Sequence, residues 1–156
     1  MTFSNRQLFL RYVGQTSGSP SSLEIEHAKG VYLYTPEGQK YLDLVSGVSV
    51  SSLGHGHPTI IEAVKTQAEK HMHLMVYGEF VQSPQVEYAT WLVEQLPDKL
   101  DNVYFVNSGS EAIEGAMKLA KRATGKPEIL AFKNAYHGST HGALSILGND
   151  IYKSGF

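Results

Sequence analysis

The stretch YFVNSGSEAIEGAMKLAKRATGKP (residues 104–127) decides the fold, because an apolar, strand-like run gives way within it to a long amphipathic pattern. The run NVYFV (residues 102–106) stops at three small residues, Ser108, Gly109 and Ser110, and helical spacing then continues to Thr124. Gly125 and Pro127 end that helix, as a left-handed cap and a breaker do. A second short apolar run, EILAF (residues 128–132), follows. Strand, helix and strand in this order predict an α/β fold with a mainly parallel sheet covered by helices. Two parallel strands cannot bury both faces, so the sheet reads as incomplete and the chain as the first part of a larger domain.

The Ser108-Gly109-Ser110-Glu111 turn has two readings. Ser108 with Glu111 three residues later is a capping-box pattern, which stabilises a helix by about 1 kcal/mol. Capping leaves Gly109 unexplained, since glycine in a helix costs roughly 0.8–1 kcal/mol relative to alanine. The alternative is an anion seat. A helix start presents unpaired N–H groups and partial positive charge, Gly109 lets a phosphate come close, and the Ser110 hydroxyl adds a donor. Neither the Lys-Ser or Lys-Thr ending of a nucleotide loop nor the spaced glycines of a dinucleotide fold is present. The segment AYHGSTHG (residues 135–142) follows the second run and so reaches the same edge of a parallel sheet. There Tyr136 can stack on a planar ring and His137 can hydrogen-bond beside it, although a loop tyrosine also packs readily on a core.

Upstream, GQTSGSPSS (residues 14–22) reads as a connector, with ordered structure expected to begin just after it. Short β-prone runs near Ile25, at 31–34 and at 41–44, with Thr35-Pro36-Glu37-Gly38 as a turn, predict a small antiparallel meander. Gly54-His55-Gly56-His57-Pro58 forms a tight turn into a helix running to about His71. Another helix opens with Ser83 as N-cap and Pro84 in its first turn, and stops before Pro97. Trp91 is read as a core residue on that helix, Tyr77 and Glu79 lie in a polar segment before it, and HGALSIL (residues 141–147) makes a further short helix. The expected organisation is an N-terminal segment with the meander (1–57) followed by the start of a large α/β domain (58–156).

Composition narrows the function classes. With 13 basic and 15 acidic residues, a net charge of −2 and no charge runs, nucleic acid and anionic membranes are not expected partners. The absence of cysteine excludes a disulfide framework and a thiolate metal site, and makes the cytoplasm the default location. The first residues, MTFSNRQLFLRYVGQ, show neither a signal-peptide core nor a span of about twenty apolar residues. His55, His57, His71, His73, His137 and His141 have few acidic neighbours, and no metal site is assigned to them.

Taken together, FVNSGSEAIEGAMKLAK, AFKNAYHGSTHGALS and YLDLVSGVSVSSLGHGHPTIIEAV resemble, in order and spacing, the class III aminotransferases, pyridoxal-phosphate enzymes of fold type I. The resemblance runs from about Leu23 to the end of the sequence. It implies that Ser108, Gly109 and Ser110 hold the cofactor phosphate, and that Tyr136 stacks on the pyridine ring with His137 adjacent. It further implies that Val48, in SGVSV, lies near the substrate entrance and that the active site forms at a homodimer interface. A small-molecule amino donor and an oxo-acid acceptor are the implied substrates. Capping and phosphate binding then become one arrangement.

The family's covalent lysine and its ring-nitrogen aspartate lie downstream of the YHG motif, past Phe156, and Lys118, Lys121, Lys133 and Lys153 have no matching context. No catalytic residue is therefore assigned within these 156 residues, and this stretch alone is not expected to complete transamination. Family members acting on acetylornithine or 4-aminobutyrate commonly carry arginine directly after His-Gly, where it grips a carboxylate. Ser139 occupies that substrate-binding position here. Ile113 stands where many relatives have asparagine, and nothing in the sequence explains it. An aminomutase or racemase on the same scaffold, or a non-catalytic module that binds phosphate or dimerises, are the alternatives.

Overall fold

The computed structural model describes residues 3–75 and 78–156, and the chain divides into two compact units, Met1–Phe80 and Val81–Phe156. Tyr77 lies outside the described residues. Among the described residues the only sheet is antiparallel, so the chain is α/β with a small meander.

The first unit opens with helix α1 (Asn5–Tyr12), which corrects the expectation that order begins after the connector. The cause is a complete capping box: Gln7 N–H donates to Ser4 Oγ at 3.3 Å, and Ser4 N–H donates to Gln7 Oε1 at 2.9 Å. Asn5 Nδ2 also donates to Glu24 Oε1 at 2.8 Å, joining the helix to the chain beyond the connector. The meander follows as β1 (His27–Lys29), β2 (Tyr32–Tyr34) and β3 (Lys40–Leu42), with Ala28 opposite Leu33 and Leu33 opposite Tyr41. Its second turn is the expected one, with Gly38 N–H donating to Thr35 O at 3.0 Å and Gly38 at φ +81°. His27 stacks on Tyr34 across the strands, 4.5 Å between ring centroids.

Beyond β3 the chain makes a four-residue turn, α2 (Ser46–Ser49), that winds the unusual way. Ser46, Gly47, Val48 and Ser49 all have φ between +52° and +64°. Left-handed winding costs L residues roughly 1–2 kcal/mol each, most awkwardly for a β-branched residue such as Val48. Next, the expected Gly-His-Gly-His turn forms: Gly30 and His55 exchange backbone hydrogen bonds of 2.9 and 2.7 Å. A Cβ on Gly54, at φ +81°, would lie 3.1 Å from Gly30 O. Helix α3 (Pro58–Lys70) leaves this turn with proline in its first turn, where the missing N–H is harmless.

In the second unit α4 (Ser83–Glu94) starts one residue earlier than expected, with Gln82 as N-cap and Ser83 already helical. Trp91 is half exposed rather than in a core, and stacks on Tyr88, which in turn meets Phe105. Helix α5 (Gly109–Thr124) and the short α6 (His141–Ser145) match expectation, and Gly125 closes α5 at φ +69° as a left-handed cap. A 3-10 turn (Asp150–Tyr152) follows.

The two apolar runs expected as parallel strands, residues 102–106 and 128–132, belong to no ladder. A strand exists through a neighbour that takes its N–H and C=O groups, and neither run serves the other. Leu130 is consequently fully exposed and Phe132 nearly so. Ala143 and Leu147 are the buried apolar residues among those described, both in and after α6. No helix among the described residues is long and apolar enough to cross a membrane.

Candidate functional site

The start of α5 is built by local chemistry. Ser108 is extended and accepts the Glu111 N–H on its Oγ at 3.2 Å, which is half of the expected capping box. The other half is displaced by one residue: the Glu111 carboxylate accepts from the backbone and side chain of Asn107, at 2.7 and 3.2 Å, rather than from Ser108. One orphan amide of the first turn is thereby satisfied. Helix geometry leaves the Gly109 and Ser110 N–H groups without intrahelical acceptors, and among the described residues none is found for them. A Cβ on Gly109 would meet nothing within 4 Å, so the space beside these two donors is open.

The YHG loop comes to this same helix end. Gly138 is buried at φ +129°, and a Cβ there would fall 2.0 Å from Ser110 Oγ and 3.0 Å from Ser110 Cα. Backbone thus lies directly against the first turn of α5, an approach that only glycine allows. On either side of this contact the loop carries its functional candidates. Tyr136 is 65% exposed; its hydroxyl pairs with Ser139 Oγ at 2.9 Å, and its ring meets Tyr152 edge-on at 6.1 Å. His137 Nε2 is buried and has no hydrogen-bond partner among the described residues. A buried ring nitrogen without a partner is costly, and such atoms commonly mark an absent ligand or water.

Ser108, Gly109, Ser110, Tyr136, His137 and Ser139 therefore share one unit and one junction. Val48 lies in the other unit, at the crest of the left-handed turn, and is strongly exposed. Asp43 holds that turn. Its Oδ1 accepts the Ser46 and Val45 N–H groups at 2.8 and 3.1 Å, while Oδ2 lies 2.7 Å from His55 Nε2. The Ser46 N–H, then the His55 ring, keep the Asp43 carboxyl below the usual carboxylate range.

Sequence reasoning missed both Asp43 and Glu114. Glu114 Oε1 accepts the Thr140 hydroxyl at 2.7 Å and the Ala143 N–H at 3.1 Å. Those bonds, the hydroxyl first, hold its carboxyl below the ordinary value. Glu114 follows Ser110 by four residues, so both occupy one helix face, and that spacing was the available signal. For Asp43 the available signal was an acidic residue two and three places before a small-residue turn.

Comparison with known proteins gives this junction its context. The family described as Aminotransferase class-III matches residues 13–156. The chain belongs to the class III aminotransferases. Acetylornithine aminotransferase of Methanopyrus kandleri is 42% identical over 130 residues, covering 82% of this chain and 32% of that protein. The protein of the same name from Halalkalibacterium halodurans is 45% identical over 132 residues, covering 85% and 33%. Among solved structures, adenosylmethionine-8-amino-7-oxononanoate aminotransferase from Methanocaldococcus jannaschii superposes with a TM-score of 0.87 at 31% identity, over 97% of this chain and 37% of its own. Taurine:2-oxoglutarate aminotransferase from Bifidobacterium kashiwanohense, solved in complex with pyridoxal phosphate and glutamate, superposes with a TM-score of 0.84 at 33% identity, over 94% and 33%. This class III chain spans about a third of the length of these two acetylornithine aminotransferases.

Proposed function

We propose that this chain supplies the phosphate seat and ring loop of a pyridoxal-phosphate-dependent aminotransferase that moves an amino group from an amine or amino acid to an oxo acid. The observation that carries the proposal is the seating of Gly138, which directly follows Tyr136 and His137 in the chain, against Ser110 at a helix start whose first two amides lack acceptors among the described residues. These residues fit the cofactor. Gly109 leaves open space at a helix start, His137 Nε2 lacks a partner, and Tyr136 presents exposed ring.

In this reading the Gly109 and Ser110 N–H groups and the Ser110 hydroxyl donate to the cofactor phosphate, and the α5 dipole favours its charge. Tyr136 stacks on the pyridine ring, and its bond to Ser139 limits rotation of the side chain. His137 would lie adjacent, with Nε2 as the atom free to take a hydrogen bond. When bound, the cofactor supplies an electron sink for the carbon that loses its proton. A covalent lysine, a ring-nitrogen acid and strands to pair residues 102–106 and 128–132 would have to be supplied from outside these 156 residues. Val48 lies toward the substrate in this reading, and a second copy of the protein completes the site.

The relatives' name brings acetylornithine forward as a donor. Ser139, already bonded to Tyr136, offers no positive charge to a substrate carboxylate, so donor choice falls to groups other than this one.

The test uses the full-length protein loaded with pyridoxal phosphate, offered a panel of amines and amino acids with an oxo-acid acceptor. Amino-group transfer that requires the acceptor is the expected result. Replacing Gly109 by valine should weaken cofactor binding by about tenfold or more, measured by spectral titration. A wild-type protein that binds no pyridoxal phosphate would sink the proposal, and turnover without an acceptor would replace transamination by mutase or racemase chemistry.

A further inference from the structure

Two features of α5 and α6 have no part in the phosphate seat. Helix α6 has no cap of its own: Thr140, at its N-cap, makes no side-chain bond to the helix, and its hydroxyl points the donor at Glu114 instead. Glu114 Oε1 receives that hydroxyl and the Ala143 N–H together, so an acid on α5 serves as the capping group of a helix 26 to 29 residues further along the chain. Gly142 is what allows the approach. A Cβ there would fall 2.3 Å from Glu114 Oε2 and 2.7 Å from Oε1.

The consequence reaches the loop through the chain itself. Along one face of α5, Ser110 meets Gly138 and Glu114, one turn later, meets Thr140, Gly142 and Ala143. The loop with Tyr136 and His137 is thus pinned at Gly138 and again immediately downstream. Only the second pin uses charge-assisted hydrogen bonds, which are about twice as strong as neutral ones.

We propose that Glu114 is a positioning residue of the cofactor site: by capping α6 from α5 it fixes the residues 136–139 loop beside the first turn of α5. The inference rests on the reading that this junction takes pyridoxal phosphate. Glu114 touches neither the phosphate donors nor the ring, and acts through the loop.

The full-length protein is compared with Glu114→Ala, Glu114→Gln and Gly142→Ala. Pyridoxal phosphate is titrated by absorbance, the visible circular dichroism of the bound cofactor reports ring orientation, and inorganic phosphate is the competing probe. Glu114→Ala should weaken pyridoxal phosphate by about tenfold and reduce the dichroism of the bound fraction, while inorganic phosphate binds as before. Glu114→Gln keeps an acceptor oxygen and should recover most of both signals. Gly142→Ala, which drives a methyl group into the carboxylate, should reproduce the alanine phenotype and serves if Glu114→Ala does not fold. Loss of thermal stability with unaltered dichroism and affinity in both variants would overturn the positioning role and leave the cofactor reading intact. Failure of the wild type to bind pyridoxal phosphate overturns both.

Discussion

Gly138 is the residue on which the junction turns, because it combines a left-handed φ of +129° with a neighbour 2.0 Å from any added Cβ. Gly138→Ala is expected to cost about 1–3 kcal/mol of stability, the usual range for overpacking, and to displace the loop from Ser110. Urea unfolding with a parallel cofactor titration checks it, and a neutral result would mean that the loop is not held there. Asp43 makes a second residue-scale prediction. Its folded-state carboxyl titrates below the ordinary value, owing first to the Ser46 N–H and next to His55, so it contributes stability at every pH above that ordinary value. The contribution is lost as pH falls through the folded-state value. Asp43→Asn should therefore unfold more easily than wild type near neutrality, and the two melting curves should converge on acidification from about pH 7 to about pH 2. Parallel curves across that range would show that the carboxylate's charge is not what holds the turn.

Caps and turns decide the elements. Ser4→Ala removes one acceptor of the α1 capping box and should destabilise that helix by about 1 kcal/mol, read as faster amide exchange in Asn5–Tyr12 with α5 unaffected. How legible each element was in the sequence follows from the range of the forces that make it. Helices α3 and α5, with proline at one start, serine at the other and glycine at the end of α5, carry their boundaries locally, and the sequence reading placed them to within a residue. Helix α1 was equally legible, since Ser4-Asn-Arg-Gln7 is a capping box, and was passed over for the loose connector after it. The left-handed α2 was not legible. Its stabilisation comes from Asp43, whose other oxygen is engaged by His55 twelve residues on, and no local propensity favours Val48 at positive φ. Within the site, the small residues of the α5 start and the YHG loop could be read as chemistry. For Glu114 the four-residue spacing from Ser110 marked only a shared helix face; its partners, and the meaning of Gly142, appear only when α6 returns to α5.

Across the whole chain the outstanding quantity is exposure. The accessible surface is 13496 Å², whereas a folded monomer of this mass exposes roughly 7,800 Å². The excess is apolar in large part: Leu44, Met72, Val81, Leu130 and Phe132 are all largely open to solvent. Residues 1–156 by themselves should therefore bind a hydrophobic dye and associate in proportion to concentration, as checked by fluorescence and sedimentation. A dye-silent monomer would show that the chain repacks into a different structure when isolated. The apolar runs at residues 102–106 and 128–132 add to this exposure, since among the described residues neither has a hydrogen-bonding neighbour along its edges. Open apolar surface of this kind makes self-association rise steeply with concentration, so dilution is what would keep residues 1–156 dispersed when they stand alone.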